Sequence, residues 1–436
     1  MIFLETAVVI AALCLGAKYK GIGLGIWGGL GVMILALFFG VMPSRPPIDV
    51  MLIILAVVTA ASIMDAAGGV EYMVRIAERV IRANPNRIVF VAPLVTWFFS
   101  FLGGTAHICN SLMPVIYEVS HSVGIRPERS MTTAMAACQQ SLVASPVSAC
   151  TAALLGLLAS RDPSITLGHI LGITIPATLV AVFVTSCVMV HYGLDLDKDP
   201  EYQARVKAGL VQVPKIDRTK PLPKGAALSA ALFILAVVFV VVAGFYPELR
   251  TPFGAKKAIG MAQFLELSML SIGAIILVVC RPSLEDARRS NLLRAGVTAA
   301  IALFGIAWLG DTYFTAHKAQ FVQYLGGVIK EYPWLFAIFL FAGGSVINSQ
   351  AATVRTLMPL GITLGMSTGS LIGVYPAVNA TAFFPTAGIL IATMNYDLSG
   401  TCKIGKYVLN HSFMVPTLTA TFTATVAAYL LQSLVF

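Results

Sequence analysis

Long apolar runs without formal charge set the pattern of this chain. Gly21–Ser44, Ile88–Tyr117, Met131–Ser160, Pro163–Leu194, Gly225–Pro247 and Tyr407–Phe436 contain no Asp, Glu, Lys or Arg. A helix needs roughly 20 predominantly apolar residues to cross a bilayer. The runs therefore predict an all-α membrane protein with about ten to twelve transmembrane helices. Thr356–Tyr396 extends for 41 residues without a charge. That is too long for one crossing, so this stretch turns within the membrane or makes two passes.

Composition sharpens the picture. Of 436 residues, 58% are apolar and 11% charged, against about 25% charged in soluble domains. The net charge is +9, with Lys and Arg concentrated in loops, as membrane topology requires and nucleic-acid binding does not. The seven cysteines lie mostly in apolar runs without a CxxC, which argues against a disulfide framework or zinc site. No cofactor or metal is expected. Met1–Glu5 lacks the basic start of a secretory signal and reads as the beginning of a mature helix.

Two charged connections punctuate the chain. Asp195–Lys224 holds seven Lys/Arg and five Asp/Glu, and Arg281–Arg294 holds four and two. Both read as solvated and cytoplasmic. The expected organisation is N-terminal helices over 1–49, a first transport repeat over 50–194, a charged loop over 195–224, scaffold helices over 225–294, a second repeat over 295–406 and a C-terminal helix over 407–436.

The repeat rests on three landmarks. Asp65, Pro85 and the Leu112-Met113-Pro114 triplet return as Asp311, Pro333 and Leu357-Met358-Pro359, at offsets of 246, 248 and 245 residues. Such repeats, often inverted in the membrane, mark secondary transporters. Each half continues into an uncharged stretch broken by proline, Ser145-Pro146-Val147-Ser148 in the first and Asn379 to Pro385-Thr386 in the second. Proline interrupts a helix, and a broken backbone at membrane depth survives only in protein or a watery cavity. A helix restarting there offers N–H groups and a positive dipole end, which suit a carboxylate. The alternative is a plain proline kink.

Polar tips precede each triplet: Thr105, His107 and Asn110 in the first half, Asn348, Ser349 and Gln350 in the second. They have the character of re-entrant hairpins, or of loops at the membrane face. Arg355 stands between uncharged runs of 23 and 41 residues. It either grips a carboxylate through its fork or snorkels from a helix end. Asp65 and Asp311 are candidates for ion coupling or polar helix ends. Glu78 and Arg82 form an i, i+4 pair on an amphipathic segment; Arg82 and Arg126 could draw anions to an entrance. No HExxH, GxSxG or GxGD pattern supports a membrane-embedded enzyme. A channel is a further rival, which broken halves disfavour.

The chain resembles the Dcu family of anaerobic C4-dicarboxylate transporters nearly end to end. The likeness runs through Pro46-Pro47-Ile48-Asp49, Glu78-Arg79, Arg82 with Asn84-Pro85, Gly124-Ile125-Arg126-Pro127-Glu128-Arg129, Ala144-Ser145-Pro146-Val147-Ser148, Gly310-Asp311-Thr312, Asn348-Ser349-Gln350 and Asn410-His411-Ser412-Phe413. It implies exchange of fumarate, succinate, malate or aspartate across a bacterial inner membrane. It also implies an elevator-like movement and roles for Glu78, Arg82 and Arg126. The implied partners are dicarboxylates and the lipid bilayer, with a homodimer compatible and a membrane sensor kinase suggested by family analogy. Phe384-Pro385-Thr386-Ala387-Gly388 departs from the family's Leu-Pro-Thr-Tyr-Pro, which puts the particular substrate in doubt.

Overall fold

Stretches of bilayer length form the helices of the computed structural model, which describes all residues but 1, 20–21, 47, 163, 212–220, 256, 348, 384–387 and 405–409, and only the backbone of some others. The N-terminal helices are α1 (Ile2–Tyr19) and α2 (Gly23–Phe39). The first half continues with α3 (Ile48–Ala66), α4 (Gly69–Ala83), α5 (Ile88–Gly103), α6 (His107–Ser122), α7 (Pro127–Ala144), α8 (Ala149–Arg161) and α9 (Leu167–Val190). The middle holds α10 (Pro200–Lys207), α11 (Ala226–Phe245), α12 (Met261–Cys280) and α13 (Leu284–Arg289). The second half comprises α14 (Asn291–Ala316), α15 (Lys318–Glu331), α16 (Leu335–Ile347), α17 (Gln350–Thr363), α18 (Thr368–Val374), α19 (Gly388–Tyr396) and α20 (Met414–Val435). Among the described residues, seven helices are long and apolar enough to span a membrane, and α3 with α4 makes an eighth if that bent pair is one span. Four shorter apolar helices accompany them.

The order of elements recurs. In each half a long helix leads into an amphipathic one, which stops before proline: α4 at Ala83 before Asn84-Pro85, α15 at Glu331 before Tyr332-Pro333. Two helices joined by a tight tip follow, then a helix that breaks and restarts. α7 stops at Ala144 and α8 restarts at Ala149. α18 passes through a 3₁₀ turn, Tyr375–Val378, before the second break. Gly365, at φ 81°, makes the turn that the long uncharged stretch requires.

Local sequence explains the bends. Gly68, at φ 86°, turns α3 into α4 through 73°. α4 then buries Met73, Val74, Ala77 and Ile81 on one face and carries Glu71, Arg75, Glu78 and Arg82 on the other, the amphipathic spacing of an interfacial helix.

Packing divides the helices into two groups. α1, α2, α3, α12 and α14 pack on one another, while α5 to α9 pack with α16, α17, α18 and α20. In the first group α2 crosses α14 at glycines: a Cβ on Gly305 would lie 1.7 Å from the Gly25 carbonyl oxygen. Backbone contact of this kind is how membrane helices gain packing without a hydrophobic drive. The groups meet most extensively where α14 lies on α17 and α3 on α8, with α1 on α16 and α12 on α8 adding to the seam and α4 and α11 packing on both groups. Where α14 meets α17, a Cβ on Gly310 would stand 3.2 Å from Thr356.

Candidate substrate site

Two cavities follow this seam. The first, of about 320 Å³, lies among the middle of α3, the α5–α6 tip, the α7–α8 break, the start of α14 and the start of α17. Its polar lining is Thr105, Gln139, Ser148, Ser349 and Gln350. The volume falls at the small end of ligand pockets, about 300–1,000 Å³.

The break is built by capping. Ser145 turns into extended backbone, and Ser148 caps α8 by accepting the Thr151 N–H at 3.3 Å. The Ser148 hydroxyl donates to the Leu142 carbonyl, closing the end of α7. Ser148, Ala149 and Cys150 line the cavity, so the positive end of α8 faces it. The α5–α6 tip rests on the break. Gly104 has φ 60°, and a Cβ there would lie 2.8 Å from the Val147 carbonyl oxygen. Ser145 Oγ donates to the Phe101 carbonyl at 2.6 Å. A matching approach brings Gly344 of α16 to the second break, where a Cβ on that glycine would lie 2.9 Å from Ala380 Cβ.

The two halves interlock at this wall. Gln350 Nε2 donates to the Gln139 carbonyl at 3.0 Å, and Cys150 Sγ donates to Gln350 Oε1 at 3.5 Å. Thr151 Oγ1 lies 3.2 Å from Tyr375 Oη.

The second cavity, of about 580 Å³, is lined by Arg45, Pro46, Ile48, Gly156, Leu157, Ser160, Ala307, Asp311, Arg355 and Pro359. Both cavities touch α3, α8, α14 and α17 at different heights. Between them lie Ala153, Leu154 and Leu155 of α8 and Thr353 and Val354 of α17, all fully buried. Buried and mostly apolar side chains thus lie along α8 and α17 between the two cavities.

A family model for anaerobic C4-dicarboxylate membrane transporters, DcuA_DcuB, matches residues 1–436. The chain belongs to this family. The DcuA C4-dicarboxylate transporter of Helicobacter pylori strain 26695 is 37% identical over 95% of each chain. DcuA of Escherichia coli K12 is 36% identical over 95% of each. DcuB of E. coli O6:H1 is 34% identical over 95% of this chain and 94% of that one. The fold is similar to the crystal structure of the Alcanivorax borkumensis YdaH transporter, with a TM-score of 0.57 at 14% identity, covering 99% and 97% of the two chains. This Dcu-family chain is a multi-pass transporter of the bacterial inner membrane, not an enzyme.

Three of its sequence-predicted site residues, Thr105, Ser148 and Gln350, meet in the first cavity. Ser145 and Pro146 belong to the break but are not among the lining residues; the Ser145 hydroxyl is turned to Phe101. Asn110, half-buried on α6, holds a buried Oδ1 without a hydrogen-bond partner. Asn379 is 1% exposed at the second break, and both its side-chain amide atoms lack partners. Its carbonyl accepts from Thr421 Oγ1, which also receives Gln140 Nε2 at 3.2 Å. Asn348, Pro385 and Thr386 lie outside the described residues. Gln139 was not singled out in the sequence. An amide pair, Gln139-Gln140, inside the charge-free run Met131–Ser160 was the available signal.

The charged candidates separate. Arg355 is 4% exposed and shares the second cavity with Asp311. Asp65 is elsewhere, accepting from Ser290 Oγ at 2.7 Å, so the two repeat-related aspartates have different surroundings. Arg82 pairs with Glu78 at 2.9 Å and grips Glu118 through both Nη atoms. Arg126 pairs with Glu128 and Asp199. Carboxylates at this range compensate both guanidiniums, which weakens their pull on a distant anion. Among the described residues, no group of three or more His, Cys, Asp or Glu could hold a metal ion.

Proposed function

We propose that this transporter exchanges C4-dicarboxylates such as succinate, fumarate, malate and aspartate by alternating access. The α5–α9 and α16–α20 group slides against α3 and α14, as an elevator does. The observation that carries this reading is the pair of cavities on one seam, with buried side chains between them. The halves are inverted repeats, each giving one tip and one broken helix. One carboxylate is met by the hydroxyls, amides and helix end at the first break. Arg355 supplies charge to the other at a later stage of the movement. The relatives named for C4-dicarboxylate transport support the substrate class.

Counterflow in proteoliposomes tests this. Labelled succinate should accumulate in vesicles preloaded with fumarate or aspartate. Acetate should compete poorly, because it has one carboxylate where the movement engages two in turn. Equal inhibition by acetate and succinate, or uptake indifferent to the internal anion, would contradict the reading.

A further inference from the structure

The cavities differ in electrostatic character. The first has no formally charged residue among its lining, whereas the second has Arg45, Asp311 and Arg355. Their formal sum is +1, in a space walled otherwise by Pro46, Ile48, Leu157, Ala307 and Pro359. Low-dielectric walls focus a field of this sign and concentrate anions.

Two of the three charges belong to one body. Ser44, beside Arg45, gives its N–H to Thr312 Oγ1 at 3.1 Å, and its carbonyl accepts from Trp308 Nε1 at 2.7 Å. Trp308 and Thr312 flank Asp311 on α14. The Arg45 backbone is therefore pinned to the helix that carries Asp311. Arg355 comes from α17, on the other side of the seam.

We propose that this cavity is a charged anteroom for carboxylates on one membrane face only, in which Asp311 competes with the incoming substrate for Arg45 and Arg355. The proposal rests on the exchange reading above and adds a sidedness to it. Arg45 receives a dianion at the mouth. Asp311 keeps the cavity from holding that dianion too tightly, and so permits release. The opposite face, where the neutral cavity opens, recognises substrate by hydrogen bonds alone.

The test is counterflow of labelled succinate into vesicles of each orientation, at low and at high concentrations of an impermeant salt. Exposed electrostatic attraction is screened within about 8 Å at physiological ionic strength. Apparent KM should rise several-fold with salt on one face and change little on the other. Arg45→Gln should raise KM about three- to ten-fold on the salt-sensitive face and flatten its salt response. Asp311→Asn should do the reverse, lowering KM on that face while slowing turnover. Equal salt responses on both faces, or an Arg45→Gln effect shared by both, overturns the proposal. If Asp311→Asn fails to reach the membrane, the Arg45→Gln salt series decides. Wild type that exchanges with symmetric salt dependence sinks only the anteroom; wild type without exchange sinks the function on which it rests.

Discussion

Gln350, at the first turn of α17, donates its side-chain amide to the Gln139 carbonyl of α7 at 3.0 Å. Both residues line the first cavity. One hydrogen bond thus ties the tip of the second half to the break of the first at the place assigned to substrate. Gln350→Ala removes this bond and the longer of two acceptor contacts of the Cys150 thiol, leaving the Leu142 carbonyl. A hydrogen bond is worth about 0.5–1.5 kcal/mol, more to a charged partner, so apparent affinity for succinate should fall up to roughly ten-fold. Gln350→Glu should be worse, because it puts a carboxylate where the substrate's is to sit. Counterflow KM checks both.

Ser148 tests whether the break is held by its cap. Its hydroxyl accepts the Thr151 N–H and donates to Leu142, so Ser148→Ala should cost about 1 kcal/mol of helix stability and lower the melting temperature in detergent. KM should rise with it, since α8 presents its end to the cavity. Ser148→Asp retains a capping acceptor but should abolish transport through charge repulsion. Equal transport by Ser148→Asp and wild type would remove α8 from the site.

Arg355 separates two readings of a buried charge. Arg355→Lys keeps the charge but loses the fork and should retain partial transport. Arg355→Gln should lose most of it at normal membrane levels. Unchanged succinate affinity in Arg355→Gln would make Arg355 a structural residue of α17.

The charged loop should stabilise the protein in a pH-dependent way. Burial acts against the charge of Asp199, but the Tyr202 and Glu201 N–H groups and Arg126 outweigh it and hold the carboxyl below its ordinary value. A depressed value means that the contribution is fully present above the ordinary carboxylate range and is lost as pH falls through the folded-state value. Asp199→Asn should therefore melt earlier than wild type at neutral pH, with the gap closing in acid. No gap at neutral pH would show that Asp199 acts only as the cap of α10, a role that Asn fills equally well.

Charge-free runs and proline positions made the helices, the recurring halves and the breaks legible in sequence. Thr105 and Gln350 from the polar tips and Ser148 from the first break line one cavity. What the pattern could not supply was pairing between distant segments. Arg126 reads as an unattached cation until the loop brings Asp199 to it. Ser145 reads as a free donor until the tip brings the Phe101 carbonyl. Arg45 lies in a short connection with no periodicity, and only its anchoring to α14 through Ser44 brings it beside Asp311.

The most direct measurement of alternating access is cysteine accessibility at the two cavities. In a background without native cysteines, Thr105→Cys reports the first cavity and Ser160→Cys the second. An impermeant thiol reagent should reach them from opposite faces. Saturating succinate should shift the two labelling rates in opposite directions. Labelling of both from the same face, at rates that succinate leaves unchanged, would contradict two alternating openings on one seam.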